Sequence, residues 1–473
     1  LLASGNGIYQ TWTRWGRVGD RGQSKELGDG DFRSALKVRP DGLSDTATPR
    51  LITRQEFDKK FKDKTGHPRA NRRQAPNSGK YVFLERSYEP EAEVLQTESG
   101  ASRERSKSPP KCTLDAPTRS MMELIFNEQY FSAVMEHLNY DVEKMPLGRL
   151  SKWTITRGYQ TLKDLAALLQ GPSGNAATDV EELSNLYYSF IPHAFGRNRP
   201  PVIRSDAMIK REIELMESLS DLKDADNILK AQDEDVQEMH PLDFRFSSLG
   251  MNEMTALQKQ SAEFKEISQY LLNTKGDTHQ LEYVVEDIFR IERQGEHSRF
   301  DESEYAGVGS DRRLLWHGSR TTNVGGILSQ GLRIAPPEAP ANGYMFDKGV
   351  YLADMSSKSA NYCHSYLSGG CGLLMLCEAE LGNPMLVLQN ADYEAAAKAK
   401  DGGMFSTWGQ GLTGPEAWKD AACVHPSLAG VKMPDTSELP GPTNVEGTWL
   451  QYNEYIAYDI AQVRLRYLLR VRM

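Results

Sequence analysis

In residues 314–320, Leu-Leu-Trp-His-Gly-Ser-Arg, an apolar run is followed by a histidine, a glycine and a serine, residue types that are common in binding and catalytic sites. The apolar run predicts a buried β-strand, and His317, Gly318 and Ser319 stand at its end. Strand ends that open into loops commonly carry binding and catalytic side chains. A single histidine in such a position is more often structural. Whether His317 is functional therefore depends on the residues in the neighbouring segments.

Two later segments bring further polar side chains to strand ends. Residues 343–354, Gly-Tyr-Met-Phe-Asp-Lys-Gly-Val-Tyr-Leu-Ala-Asp, pass through a glycine turn into a predicted strand that bears Tyr351. Residues 358–362, Lys-Ser-Ala-Asn-Tyr, follow it. In the segment Tyr-Asn-Glu-Tyr-Ile-Ala-Tyr-Asp, a lone acid, Glu454, stands at the start of another predicted strand. Together the segments favour a functional site over a structural histidine.

The surrounding sequence mixes helices and strands. A helix is predicted near residues 256–272, and residues 372–376 form a buried apolar strand. From Val463 to Met473 apolar side chains alternate with arginines, which predicts a last strand with one buried face.

Residues 409–414, Gly-Gln-Gly-Leu-Thr-Gly, satisfy the GxGxxG pattern of dinucleotide-binding folds. That fingerprint needs a preceding strand, a following helix and an acid about 20 residues later. The flanking residues, among them Pro415, do not supply this frame, so a loop is predicted there.

Between residues 113 and 238 the apolar period is helical, which predicts an all-helical domain. The apolar positions that share helix faces are Phe131, Val134, Met135 and Leu138; Leu162, Leu165, Ala166 and Leu169; and Ile209, Ile213 and Met216, with Leu215, Leu219 and Leu222 beside them.

The front of the chain differs in composition from the rest. Residues 1–87 combine short alternating runs with glycine-rich turns and a basic stretch, which predicts a small β-rich module carrying a helix. Residues 88–112, rich in Glu, Ser, Arg and Pro, are expected to form a disordered linker. The first 85 residues are basic, whereas the net charge of the chain is -9. Contacts with nucleic-acid phosphates are therefore expected at the front.

The overall composition excludes several classes of protein. Hydrophobic content of 39% and charged content of 26% are typical of globular domains, and no run of about 18 apolar residues occurs, so neither a membrane span nor a secretory signal is expected. The five cysteines lack paired spacing. They indicate neither a disulfide framework nor a metal site, and they fit the cytosol or nucleus.

The site segments, together with the run from Leu314 to Pro337, resemble the catalytic domain of the poly(ADP-ribose) polymerase family, whose signature is a His, Tyr, Glu triad in separated strands. Residues 144–151, Lys-Met-Pro-Leu-Gly-Arg-Leu-Ser, resemble the opening of the family's helical regulatory domain. Residues 14–19, Arg-Trp-Gly-Arg-Val-Gly, resemble its Trp-Gly-Arg module. The resemblance covers nearly the whole chain in the family's order.

The resemblance implies a multidomain α+β fold. Its parts would be a Trp-Gly-Arg module (1–87), a linker (88–112), an all-α regulatory domain (113–238) and a mixed α/β catalytic domain with an antiparallel-rich split sheet (239–473).

The resemblance also implies an enzyme that consumes NAD+ and needs no metal, with Glu454, His317 and Tyr351 as catalytic residues. Glu454 would bond a hydroxyl of the nicotinamide ribose and activate the acceptor hydroxyl. His317 would bond the adenosine ribose, and Tyr351 would stack on nicotinamide. One carboxylate suffices, because positive charge develops on the sugar and nicotinamide leaves as a neutral base.

Other residues are carried over from the family in the same way. The Gly318 backbone and Ser359 would bond the nicotinamide carboxamide, and Tyr362 would stack on the ring. Lys358 would serve chain elongation, and Asp221 would regulate from the helical domain. The remaining expected NAD+ contacts are Ser319, Asn323 and Arg333.

For the front module the resemblance implies binding of DNA strand breaks through Arg14, Trp15 and Arg17. It further implies a nuclear protein that modifies acceptor proteins, including itself and histones, without a membrane partner. Two departures concern this module: strands that normally precede the Trp-Gly-Arg segment are missing, and residues 38–55 interrupt a predicted helix as an insertion. The module is therefore expected to be N-terminally incomplete.

Two other functions remain open. A mono-ADP-ribosyltransferase is disfavoured because Glu454 is the residue type that polymerising members carry. A catalytically silent DNA-end scaffold is disfavoured because the triad is complete. Consumption of NAD+ and the length of the product would separate the three.

Overall fold

The computed structural model describes residues 2–4, 8–15, 23–31, 58–87, 110–171, 176–230, 239–307 and 310–473. Along these ranges a small sheet is followed by a bundle of helices and then by a domain of several sheets. The predicted multidomain α+β fold is confirmed. Within the same ranges, no helix is long and apolar enough to cross a membrane.

The front of the chain contains a three-stranded antiparallel sheet in the order β1-β2-β3. Its strands are β1 (Leu2–Ser4), β2 (Ile8–Trp15) and β3 (Gln23–Asp31). Arg14 and Trp15 therefore end β2. Arg17, the predicted insertion 38–55 and residues 88–109 of the predicted linker lie outside the described residues.

Residues 58–65 are helical, and the segment 58–87 packs on the helical domain. The Phe83 ring lies 6.1 Å from the Trp153 ring, and Arg86 donates a 2.7 Å hydrogen bond to the carbonyl of Lys144. Segment 58–87 is thus in direct contact with the helices that follow it.

The helical domain consists of α1 (Ala116–Ile125), α2 (Glu128–His137), α3 (Lys152–Gln170), α4 (Ala176–Phe190) and α5 (Asp206–Lys230). Asp115, Asn127 and Ser151 cap the first three helices by accepting hydrogen bonds from backbone N–H groups of the first turn. The apolar positions predicted to share helix faces are buried, except that Leu169 is only partly buried. The faces expected from the sequence therefore form the core.

The last domain alternates short helices and strands. In chain order they are α6 (Pro241–Ser248), β4 (Met251–Ala256), α7 (Ala262–Asn273), β5 (Val284–Arg293), α8 (Glu296–Asp301), β6 (Arg312–Ser319), α9 (Val324–Gln330), β7 (Val350–Leu352), α10 (Ser356–Ala360), β8 (Cys371–Glu380), β9 (Leu386–Leu388), α11 (Ala395–Asp401), β10 (Ser406–Gly409), β11 (Gly411–Gly414), β12 (Trp418–Asp420), β13 (Lys432–Pro434), β14 (Gly441–Pro442), β15 (Leu450–Tyr452), β16 (Glu454–Ala457) and β17 (Val463–Arg472).

These strands form a split, mainly antiparallel system, as predicted. The largest sheet has the order β12-β13-β6-β8-β17-β5-β4, and two smaller sheets have the orders β7-β16-β10-β9 and β14-β11-β15. The parallel neighbours are β6 with β13, β9 with β10, and β11 with β15.

Two sheets meet at the strand ends that carry the predicted site. Trp316 and Ala353 exchange backbone hydrogen bonds of 2.7 and 2.9 Å, which joins the end of β6 to the end of β7. β7 in turn pairs with β16, where Tyr351 lies opposite Ile456. The strands bearing the predicted histidine, tyrosine and glutamate therefore converge.

Three local predictions need correction. The helix expected near 256–272 begins only at Ala262, after β4. β17 is central and covered on both faces, because arginines of its polar face form ion pairs, such as Arg464 with buried Glu378. The GxGxxG segment is not a loop but β10 and β11. A Cβ at Gly411 would lie 2.3 Å from the Tyr452 backbone, so this close strand pairing requires glycine.

Candidate active site

A cavity of about 380 Å³ lies between α5 of the helical domain and the ends of β6, β7 and β16. Every residue predicted for catalysis, NAD+ contacts, elongation or regulation lines it. These residues are Asp221, His317, Gly318, Ser319, Asn323, Arg333, Tyr351, Lys358, Ser359, Tyr362 and Glu454. The residues predicted for DNA contacts are separate: Arg14 and Trp15 are at the end of β2, and Arg17 is outside the described residues.

His317 is oriented by a backbone carbonyl. Its Nδ1 atom lies 2.9 Å from the carbonyl oxygen of Tyr351. Because a carbonyl can only accept, Nδ1 must carry a proton, and in the neutral ring Nε2 is left as the acceptor. Burial lowers the pKa of His317, which favours this neutral form. The imidazole is therefore prepared to accept a hydrogen bond from a ligand hydroxyl.

Gly318 and Ser359 lie in very close contact. A Cβ on Gly318 would lie 1.8 Å from the Ser359 carbonyl oxygen, so no side chain fits between β6 and α10. Ser359 Oγ donates a 3.0 Å hydrogen bond to the carbonyl of Trp316 and keeps its acceptor capacity. Gly318 therefore presents only its backbone to the cavity, and Ser359 adds a small hydroxyl group.

Aromatic side chains line another part of the cavity. Tyr351 donates a 2.7 Å hydrogen bond to the carbonyl of Asp347 and accepts one of 2.9 Å from the Phe346 N–H, which fixes its ring. The Tyr362 side chain is not enclosed, since the residue is 51% exposed. Fixed and exposed tyrosine rings can stack on a flat ligand ring.

Glu454 and Lys358 form an ion pair at 2.9 Å. The ammonium of Lys358 also donates to the carbonyl of Tyr452 at 2.7 Å, while burial lowers its pKa and Glu454 opposes that shift. Glu454 Oε2 is buried and has no hydrogen-bond partner among the described residues. One carboxylate oxygen is thus held by a cation, and the other is available to a ligand.

α5 contacts the catalytic domain across this cavity. Asp221 pairs with Arg333 at 3.1 Å, and Asp224 pairs closely with the same guanidinium. Tyr344 donates a 2.6 Å hydrogen bond to Glu217. Carboxylates of α5 therefore hold residues that border the cavity.

Asp221 was expected at this contact from the sequence, but its neighbours Glu217 and Asp224 were not. The three acids are spaced i, i+4 and i+7, which places them on one helix face. This stripe was the signal that could have identified them.

One group of three potential metal ligands occurs in the described part of the chain, away from this cavity: Cys112, His240 and Asp243. Asp243 already accepts hydrogen bonds from Cys112 Sγ and from the N–H and hydroxyl of Thr113. His240 Nδ1 accepts from the Leu242 N–H as a helix cap. These hydrogen bonds explain why the three side chains lie close together.

Comparison with known proteins gives matches over most of the chain. Residues 261–473 match the poly(ADP-ribose) polymerase catalytic domain, and residues 112–246 match the poly(ADP-ribose) polymerase regulatory domain. The chain is 38% identical to poly [ADP-ribose] polymerase 2 of Homo sapiens, over 98% of this chain and 74% of that protein.

Two further relatives differ in how much of their length the chain covers. It is 37% identical to poly [ADP-ribose] polymerase 2-A of Oryza sativa subsp. japonica, over 100% of this chain and 66% of that protein. It is 35% identical to poly [ADP-ribose] polymerase 1 of Gallus gallus, over 98% of this chain but only 42% of the relative. The chain thus spans less than half of the type 1 protein and about two thirds to three quarters of the type 2 proteins.

Proposed function

The chain belongs to the poly(ADP-ribose) polymerase family, its residues 261–473 are an NAD+-dependent ADP-ribosyltransferase domain, and on that premise we propose a polymerising activity stimulated by DNA breaks. The protein transfers ADP-ribose from NAD+ to protein side chains, including its own and those of histones. It then extends the chain on a ribose hydroxyl of the preceding unit and releases nicotinamide at each step.

The observation that carries this proposal is the Glu454 carboxylate. One of its oxygens is 2.9 Å from Lys358, and the other is without a partner among the described residues, in a cavity that His317 and Tyr351 also line. The open oxygen suits the 2-hydroxyl of the nicotinamide ribose, whose ring becomes positively charged as the glycosidic bond breaks.

The transfer step balances without a general acid. The bond from the ribose carbon to nicotinamide breaks, and its electron pair neutralises the pyridinium ring. The acceptor oxygen forms the new bond to the same carbon, and its proton passes to Glu454 and then to solvent. Lys358 keeps the carboxylate in place and suits a role in elongation, because it pairs with Glu454 and lines the same cavity.

The remaining cavity groups would hold NAD+. His317 Nε2 accepts from an adenosine-ribose hydroxyl, and the Gly318 backbone with Ser359 bonds the carboxamide. Tyr351 and Tyr362 enclose the nicotinamide ring. Contacts to the rest of the dinucleotide come from Ser319, Asn323 and Arg333.

Regulation would run from the front of the chain through the helices. α5 lines the cavity with Asp221 and Glu217, and Asp224 pairs with Arg333 at its border, so we expect this helix to move when NAD+ enters. The segment 58–87 contacts α3, whose Thr154 donates a 2.7 Å hydrogen bond to the carbonyl of Glu85. Binding of broken DNA by Arg14, Trp15 and Arg17 in the basic front module would be transmitted to α5 through these contacts. A protein stimulated by DNA breaks in this way works in the nucleus.

The test is incubation of the full chain with labelled NAD+, with and without nicked or blunt DNA, followed by gel analysis of the labelled protein. A DNA-dependent ladder of long products supports the proposal. Single additions would identify a mono-ADP-ribosyltransferase. If NAD+ is not consumed, the remaining hypothesis is a catalytically silent DNA-end scaffold.

A further inference from the structure

One buried carboxylate, Asp354, holds both chain neighbours of Glu454. Its Oδ2 atom accepts a 2.8 Å hydrogen bond from the side-chain amide of Asn453 and a 3.0 Å bond from the hydroxyl of Tyr455. Successive side chains of an extended chain point to opposite sides, so Asn453 and Tyr455 face Asp354 while Glu454 lines the cavity. Asp354 itself is fully buried and does not line the cavity.

The two neighbours are fixed at their other ends as well. Asn453 Oδ1 accepts hydrogen bonds from the Gly411 N–H at 2.9 Å and from the Trp408 indole at 3.2 Å. Tyr455 accepts a 3.1 Å bond from Arg313, whose guanidinium lies 4.4 Å from the centre of the Trp418 ring. Such a chain of hydrogen bonds strengthens each of its members in a buried setting.

Asp354 also stands next to the strands that carry the other predicted catalytic residues. It follows Ala353, which exchanges backbone hydrogen bonds with Trp316, the residue before His317. Tyr351 lies three positions earlier, in β7. A single side chain therefore connects the start of β16 to the ends of β6 and β7.

Stability alone does not account for this carboxylate. Its Oδ1 atom is buried without a hydrogen-bond partner in the described part of the chain. A buried polar atom without a partner costs stability. The hydrogen bonds of Asp354 are therefore concentrated on Oδ2, the oxygen that holds Asn453 and Tyr455.

We propose that Asp354 is a positioning residue for Glu454. Through Asn453 and Tyr455 it fixes the start of β16, and with it the place of the Glu454 carboxylate beside Lys358. This assignment rests on the proposed function, because it concerns the same transfer reaction.

The test compares Asp354→Ala with Asp354→Asn. Alanine removes both hydrogen bonds, whereas asparagine keeps a carbonyl oxygen that can accept both. Because a displacement of about 1 Å can cost about 100-fold in rate, we expect Asp354→Ala to lower kcat for NAD+ consumption about 10- to 100-fold with KM for NAD+ within about twofold. We expect Asp354→Asn to recover most of the loss. Should the alanine variant not fold, Tyr455→Phe deletes one of the two bonds and should lower kcat more mildly.

Glu378→Gln is the matched control. Glu378 is another buried carboxylate, on β8, and it binds Arg312, Arg464 and Arg466. The Glu378→Gln variant should have lower thermal stability than the parent, while its folded form keeps the parent kcat. An equal fall of kcat in this control at the same loss of stability would overturn the proposal, as would a rise of KM in place of a fall of kcat in Asp354→Ala.

A second measurement does not depend on activity. Crystal structures of the parent and of the Asp354→Ala variant, or of Tyr455→Phe if the alanine variant does not fold, should differ in the Lys358–Glu454 contact, which is 2.9 Å in the parent. An unchanged contact refutes the positioning role. If the parent consumes no NAD+, the proposed function fails, and the two structures still decide what Asp354 does.

Discussion

Gly326 of α9 lies directly against the backbone of Asp221 in α5. A Cβ atom on Gly326 would lie 2.4 Å from the Asp221 carbonyl oxygen and 2.7 Å from its Cα atom. A backbone neighbour cannot rotate away as a flexible side chain can. The regulatory helix can therefore sit on the catalytic domain only because this position carries no side chain.

Gly326→Ala should push α5 away from the cavity. Since the clash is with backbone, the helix as a whole has to shift, and the contacts of Asp221 and Asp224 with Arg333 should weaken. We expect higher DNA-independent activity, approaching the DNA-stimulated rate, with little change in the stimulated rate itself. The measurement is NAD+ consumption with and without nicked DNA.

Two other glycines provide a graded comparison. A Cβ on Gly325 would lie 3.2 Å from the side chains of Ala225, Ile125 and Phe126, and one on Gly307 would meet nothing within 4 Å. Gly325→Ala should therefore have an intermediate effect and Gly307→Ala none. Basal activity that does not follow this order would show that the α5–α9 contact does not restrain the enzyme.

The Asp221 contact should make basal activity depend on pH. Burial, together with the charges of Glu217 and Asp224, raises the pKa of Asp221 to about 7, and Arg333 opposes the shift. When α5 moves away, the pKa should return to about 4, as in a solvated aspartate. The docked form binds this proton more tightly. Docking is therefore strongest below about pH 4 and weakens as the pH rises through about 7.

We expect the ratio of DNA-independent to DNA-stimulated activity to rise between about pH 5.5 and 7.5, as the docked form loses the Asp221 proton. Burial also raises the pKa of Glu217 in the same contact, so Asp221→Asn should make this profile shallower by removing one of the titrating groups. The ratio cancels the pH dependence of the chemical step. A parent profile that is already flat, or falls with pH, would contradict the linkage.

Arg86 should couple the front of the chain to the helical domain. It donates a 2.7 Å hydrogen bond to the Lys144 carbonyl, and bonds to charged donors contribute about 1.5–3 kcal/mol. Arg86→Ala should leave DNA affinity nearly unchanged but reduce the stimulation of activity by DNA several-fold. Fluorescence anisotropy with labelled nicked DNA and an activity assay measure the two effects separately.

Arg73→Ala is the control for this variant, because Arg73 pairs with Glu85 inside the same segment. It should keep most of the stimulation. If both variants lose stimulation together with DNA affinity, the effect lies in the folding of the front segment and not in its contact with the helices.

The sequence indicated the site because its residues fall at strand ends. His317 at the end of β6, Tyr351 in β7 and Glu454 at the start of β16 follow from local apolar patterns, and the family resemblance supplied their roles. Apolar periodicity also identified the buried face of α5. It could not identify Glu217 or Asp224, because their partners Tyr344 and Arg333 are more than 100 positions away along the chain.

Charge pairing between neighbouring strands that are far apart in sequence explains the main error in the predicted fold. The arginines of β17 suggested a solvated face, yet Arg464 and Arg466 bind Glu378 of β8, and Arg470 binds Glu286 of β5. Each partner lies on a strand adjacent to β17. A pattern within one strand does not report which charges its neighbours present, and so it could not distinguish an exposed strand from this central one.

Glu454→Gln should separate binding from chemistry at one residue. Glutamine keeps the size of the side chain and an oxygen that can accept from Lys358, but it removes the negative charge. NAD+ should still bind through His317, Gly318 and Ser359. Activation of the acceptor hydroxyl and stabilisation of the cationic sugar should be lost, which typically costs about 10²–10⁴-fold in rate. Elongation should fail first, because its nucleophile is a ribose hydroxyl, whereas single additions or slow NAD+ hydrolysis can persist.

The measurement compares product length and NAD+ affinity for this variant and the parent in the presence of saturating DNA. Glu217→Gln is the matched control: Glu217 borders the same cavity but belongs to α5, so its neutralisation should not lower the DNA-stimulated rate. Long polymers made by Glu454→Gln at nearly the parent rate would remove Glu454 from the mechanism. Lost NAD+ affinity with unchanged turnover would reassign it to binding, because a group that acts only on the chemical step changes kcat and leaves the ground-state complex intact.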